Sequence, residues 1–210
     1  MNLPNALTLS RIFLVPLLVA VLFSTRLPNH EIYATAIFLA AALTDLFDGY
    51  FARRRRQITT LGVLLDPIAD KLLISAAFIS LVEVDPRLVP AWMVVIIVGR
   101  EFAVSGLRSI AASQGMTIAA NELGKLKTIL QIIAITLIIV GHKYGEVAVA
   151  GIPVNVRLLG WIALWLVVIS ALLSAFSYFR KFWRGVDASF KAKQSAAPRL
   201  SPAEPLDLRR

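Results

Sequence analysis

Six apolar runs, each long enough to cross a bilayer as a helix, follow one another with only short polar breaks: Leu7 to Arg26, Glu31 to Ala52, Leu61 to Val82, Pro90 to Ser113, Asn121 to His142 and Arg157 to Phe182. A helix rises about 1.5 Å per residue, so roughly 20 residues traverse a hydrocarbon core of about 30 Å. The expected fold is an all-α integral membrane bundle of six transmembrane helices. Breaks as short as Leu27-Pro28-Asn29-His30 and Glu83 to Leu88 make consecutive helices antiparallel neighbours. With 58% of 210 residues hydrophobic and a mean hydropathy of +0.73, the chain is far more apolar than a soluble domain.

Basic residues orient the bundle. Arg53 to Arg56 lie between spans 2 and 3, Lys125 and Lys127 open span 5, and Arg180, Lys181 and Arg184 close span 6. All fall on one side if there are six spans, and that side is cytoplasmic, with both termini there. The net charge of +9 follows the ends of apolar runs, so it reads as contact with anionic lipid headgroups and not as a nucleic-acid surface. The absence of cysteine excludes thiol catalysis and Cys-type metal sites. No removable signal peptide is expected, since the first positive charge, Arg11, lies within an apolar run. Residues 1–184 form the expected catalytic domain, and 185–210, with Pro198, Pro202 and Pro205, an expected disordered cytoplasmic tail.

Two acidic pairs sit inside these apolar runs: Asp45 and Asp48 in span 2, Asp66 and Asp70 in span 3. An Asp near mid-membrane costs about 2.5–3.5 kcal/mol on insertion scales, so four unpaired carboxylates oppose insertion by roughly 10 kcal/mol, less near the interface. A bound divalent metal is the expected compensation, weighed against salt bridges to neighbouring arginines, which need neither this regular spacing nor the small residues beside each pair. Spacings of three and four put each pair on one helical face, separated along the axis by about 4.5 and 6 Å. Asp45 lies about 12 Å below the basic loop, and Asp70 at a similar depth. Antiparallel spans joined by a short loop let the pairs face each other. Carboxylate oxygens suit hard cations, Mg²⁺ or Mn²⁺, and four can hold two ions at the separation of about 3.5–4 Å used in phosphoryl displacement. Gly49, Ala52 and Gly62 leave space beside the acids or let helices approach closely, and Arg53 can anchor a phosphate.

The ordered set Asp45-x-x-Asp48-Gly49-x-x-Ala52-Arg53, eight residues, Gly62-x-x-x-Asp66-x-x-x-Asp70 resembles, without departure, the signature of the CDP-alcohol phosphatidyltransferases. The resemblance implies a CDP-alcohol phosphotransferase-like six-helix bundle, commonly a homodimer, whose acids bind two divalent ions and the pyrophosphate of a CDP-linked lipid. Position by position it implies Asp45, Asp48 and Asp66 as metal ligands, Asp70 as ligand and general base, and Gly49, Ala52, Arg53 and Gly62 around the CDP group. Thr8 and Arg11, near the cytoplasmic end of span 1, are candidate contacts to the nucleotide phosphates.

Further segments are similar to the branch of that family using sn-glycerol 3-phosphate as acceptor and CDP-diacylglycerol as donor. They are Asn5-Ala6-Leu7-Thr8-Leu9-Ser10-Arg11, Leu65 to Lys71, Gly99-Arg100-Glu101-Phe102, Gly106-Leu107-Arg108 and Gly124 to Thr128. A dianionic acceptor needs cations near the metals but not on them. Arg108, Lys125 and Lys127 are at suitable depth, and Arg100 lies deeper, where Glu101 can neutralise it. Lys125 and Lys127, two apart, converge only if the helix starts irregularly or their stems bend inward. The implied reaction transfers phosphatidyl to glycerol 3-phosphate and releases CMP. Siblings using serine, inositol phosphate or phosphatidylglycerol are the near alternatives, and a small cation carrier is the remote one. A cytoplasm-facing site in a short chain suits a bacterial inner membrane.

Overall fold

The computed structural model describes residues 3–55, 60–113, 122–149 and 152–196, with side chains described for 8–44, 65, 68–113, 126–148 and 152–184. Among the described residues the chain forms six α-helices and one hairpin: α1 (Leu3–Leu22), α2 (His30–Arg55), α3 (Thr60–Val84), α4 (Ala91–Ser113), α5 (Glu122–Tyr144), β1 (Glu146–Val149), β2 (Ile152–Asn155) and α6 (Val156–Ala196).

Element ends follow local chemistry. After α1 the chain turns before Arg26, and Asn29, whose short polar side chain tolerates a left-handed φ of 57°, sets up α2 by accepting the Ile32 N–H at 2.9 Å. Gly145, at φ 62°, ends α5 in the left-handed position glycine favours, and its N–H donates to Gly141 O at 3.0 Å. Asn155 caps α6, its Oδ1 accepting the Leu158 N–H at 2.8 Å.

Two sequence expectations change here. The segment between spans 5 and 6 is not a plain loop. Val147 faces Val154 and Val149 faces Ile152 in an antiparallel ribbon, as β-branched residues favour, so the fold is helical with one small hairpin. The last helix also runs past Arg184 to Ala196, which displaces the expected start of the tail at 185. Residues 186–196 contain no proline, the first of the tail being Pro198. Residues 197–210 lie outside the described residues.

One core runs through the bundle, built from Leu18, Phe38, Phe78, Ile97, Ile138 and Leu164 with their neighbours, one residue from each helix. The most extensive contacts join α5 to α6 and α1 to α2 and α3. Gly141 and Gly160 permit the α5–α6 approach: a Cβ on Gly141 would meet Arg157 backbone atoms at 2.9 Å, and one on Gly160 would meet Ile138 N at 3.2 Å. The outside is apolar as well, with Phe13, Val95, Phe102 and Phe176 at least 60% exposed, as a lipid-facing belt requires. Among the described residues Leu126–Tyr144 and Val156–Arg184 are long and apolar enough to cross a membrane, and Thr8–Leu22 and His30–Thr44 are apolar but shorter. Helices α3 and α4 carry charges within their length, Asp66, Asp70 and Lys71 in one and Arg100, Glu101 and Arg108 in the other. Composition alone does not mark such helices as spans.

Candidate active site

Both acidic pairs come to one end of the bundle through the backbone alone. Asp45 and Asp48 lie in the C-terminal half of α2, Asp66 and Asp70 in the N-terminal half of α3, and the two helices are consecutive and in contact. The side chains of Asp45, Asp48, Gly49, Ala52, Arg53, Gly62 and Asp66 lie outside the described residues. Asp70 is described: it is partly buried, beside the wholly buried Ala69, and near enough to Lys127 on α5 for its charge to act on the ammonium.

Glu101 organises the basic residues. Buried on α4, it accepts a hydrogen bond from Lys127 Nζ, another from Gln131 Nε2 at 3.3 Å, and a pair from Arg100 Nη1 at 3.3 Å to each carboxylate oxygen. Lys127 and Gln131 are four apart on α5 and so present one face to α4. Arg100 reaches the other way. Its Nη2 donates to Ser174 Oγ, and its guanidinium carbon lies 5.9 Å from the centre of the Tyr178 ring, both on α6. A buried carboxylate is tolerated only when so paired, and here one negative charge faces two positive ones.

The sequence candidates therefore divide. Lys127, Arg100 and Asp70 are brought into one neighbourhood. Arg108, on the same helix as Glu101 and seven residues on, is exposed while Glu101 is buried. The side chain of Lys125 lies outside the described residues; α5 begins regularly at Glu122, and it is the Lys127 stem that turns inward. Thr8 and Arg11 are fully enclosed in α1, at 1% and 0% exposure, and each makes a polar or electrostatic interaction within the chain. Gln131, Ser174 and Tyr178 were not singled out from sequence. The available signal was a polar residue recurring four positions from another inside an apolar run.

Chemically, this end offers a base-capable carboxylate and, within electrostatic reach of it, a held ammonium. The four signature acids supply only hard oxygen donors, which fits a divalent cation of the Mg²⁺ or Mn²⁺ type. Among the described residues no group of three or more His, Asp or Glu gathers, three of the four acids being outside that set.

Residues 1–176 match the family model for CDP-alcohol phosphatidyltransferases. The chain is 39% identical over 199 residues to the CDP-diacylglycerol–glycerol-3-phosphate 3-phosphatidyltransferase of Bacillus subtilis, covering 90% of this chain and 98% of that one. It is 35% identical over 180 residues to the Rickettsia bellii protein of the same name, covering 85% of this chain and 94% of the relative. It is also 34% identical over 196 residues to a cardiolipin synthase (CMP-forming) of Oryza sativa, covering 88% of this chain and 58% of that protein.

Proposed function

The chain belongs to the CDP-alcohol phosphatidyltransferase family, and we propose that it transfers the phosphatidyl group of CDP-diacylglycerol to sn-glycerol 3-phosphate, giving phosphatidylglycerophosphate and CMP. The relatives named for this reaction, matched over nearly their whole length, support that acceptor. The observation that carries the chemistry is the Lys127 ammonium turned inward onto Glu101, within electrostatic reach of Asp70. A dianionic acceptor entering there meets a cation for its phosphate next to a carboxylate that can take the proton of its hydroxyl.

In this reading Asp70 removes the acceptor hydroxyl proton, the oxygen bonds to the phosphorus that carries diacylglycerol, and the bond from that phosphorus to CMP breaks. Two divalent ions, Mg²⁺ or Mn²⁺, held by Asp45, Asp48, Asp66 and Asp70, supply charge neutralisation at the phosphoryl oxygens when bound. Gly49, Ala52, Arg53 and Gly62 accommodate the CDP group, Thr8 and Arg11 brace it from α1, and Lys127 with Lys125 and Arg108 attracts the acceptor phosphate. Arg100, engaged with Glu101 and α6, serves from behind. All six helices cross a bacterial inner membrane in a homodimer, with site and termini cytoplasmic, so acyl chains stay in lipid while polar substrates enter from water.

The test is a radiolabelled transfer assay on purified protein with CDP-diacylglycerol and a panel of acceptors, with and without Mg²⁺ or Mn²⁺. Metal-dependent labelling of phosphatidylglycerophosphate is expected. Product from serine, inositol phosphate or phosphatidylglycerol, with none from glycerol 3-phosphate, moves the chain to a sibling activity.

A further inference from the structure

We infer that Glu101 is a positioning residue for the acceptor phosphate: it holds the Lys127 ammonium inward, between the helices, and so sets the affinity for an anionic acceptor. This role rests on glycerol 3-phosphate being the acceptor.

A lysine near the start of a membrane helix ordinarily extends its flexible stem toward the headgroups, leaving its charge in water. Lys127 lies in the second turn of α5, close to where that helix emerges, yet it is only 7% exposed. Its ammonium donates instead to Glu101 on α4, with Asp70 of α3 acting on it from another helix. What keeps it there is the fixity of Glu101. Arg100 bridges both carboxylate oxygens, and the same guanidinium is tied to Ser174 and set against the Tyr178 ring. Gln131 donates to the same carboxylate oxygen as Lys127. The carboxylate is thus held directly by α4 and α5 and, through Arg100, indirectly by α6, which leaves Lys127 little freedom.

An ammonium has three donors, and Glu101 takes one. An oxygen of the acceptor phosphate can therefore be bound alongside Glu101, where it meets a charge already oriented and already stripped of most water. Pre-orientation of this kind strengthens binding without any contact between Glu101 and substrate. A neutral acceptor gains nothing from it, so the arrangement also discriminates by charge.

The experiment is steady-state kinetics of purified wild type, Glu101→Gln, Lys127→Ala and the double variant, varying sn-glycerol 3-phosphate and CDP-diacylglycerol separately. Glu101→Gln keeps the side-chain shape but removes the charge. It is expected to raise the KM for glycerol 3-phosphate about tenfold, the worth of a hydrogen bond to a charged group, with the KM for CDP-diacylglycerol unchanged. The double variant should match Lys127→Ala alone, since Glu101 acts through that lysine. An unchanged acceptor KM in Glu101→Gln, equal rises in both KM values, or additive effects in the double variant overturn the role. If Glu101→Gln does not give a monodisperse protein, Glu101→Asp replaces it with the same two readouts, a rise in acceptor KM alone being expected and no rise or a joint rise overturning. A wild type that turns over some other acceptor and not glycerol 3-phosphate overturns the functional reading itself, whereas normal wild-type turnover with an unaffected variant overturns the positioning role alone.

Discussion

Arg157 Nη2 lies 2.8 Å from Asp85 Oδ2, tying the first turn of α6 to the loop that follows α3. The same oxygen faces His142 Nδ1 of α5 at 3.3 Å, and Asp85 Oδ1 accepts the Leu88 N–H at 3.2 Å. A nearby pair, Lys143 with Glu31 at 3.0 Å, links α5 to α2 at the same end. This end is opposite the signature acids, so its charges join helices and do not serve the chemistry. Asp85 is buried while the Arg157 side chain is 46% exposed, so water screens part of the attraction. Asp85→Ala is therefore expected to destabilise by about 2 kcal/mol, chiefly through loss of the buried acceptor, with acceptor KM unchanged. A melting temperature equal to wild type in detergent refutes it.

The two glycines of the α5–α6 crossing should not respond equally to alanine. At Gly141 the new Cβ meets backbone at 2.9 Å, which cannot yield without moving α6, whereas at Gly160 one of the contacts, at 3.2 Å, is the side-chain carbon of Ile138. Gly141→Ala is expected to cost about 1–3 kcal/mol, in the range of overpacked cores, and Gly160→Ala less. Thermal unfolding of the two variants side by side decides it, and equal or inverted losses contradict the crossing described.

Asp70→Asn removes the proposed base with almost no change of shape. Turnover should fall by at least about 10²-fold, the lower range for positioned acid–base groups, while the protein stays monodisperse and still binds CDP-diacylglycerol. Turnover at the wild-type rate eliminates Asp70 as base.

Because the chain has no cysteine, single-cysteine labelling can read topology without background. Arg54→Cys, in the last turn of α2, should react with an impermeant maleimide only after the membrane is opened. Ala148→Cys, exposed on β1, should react from outside in intact cells. Labelling of both from the same side is incompatible with a cytoplasmic site and an external hairpin.

The carboxylate motif and the helices that carry it were legible because their determinants are local. Hydrophobic run length, a three- or four-residue spacing and a short connection between α2 and α3 bring Asp45, Asp48, Asp66 and Asp70 to one end, whatever the rest of the bundle does. The hairpin was less legible, since Val147 and Val154 pair inside an apolar stretch that reads equally well as helix or loop. The reach of α6 to Ala196 was masked by a proline count that ignored where the first proline stands.

What the amino-acid order determined by itself was the family signature, the apolar helices and the end of the bundle at which the acids gather. Only the tertiary structure decided which cations face inward, because that choice depends on partners far away in sequence: Glu101 accepts from Lys127 of α5, and Arg100 reaches Ser174 of α6. A helical face can be read from spacing, but the carboxylate that waits opposite it belongs to another helix, and the cost of burying a charge is met only where the two helices pack together.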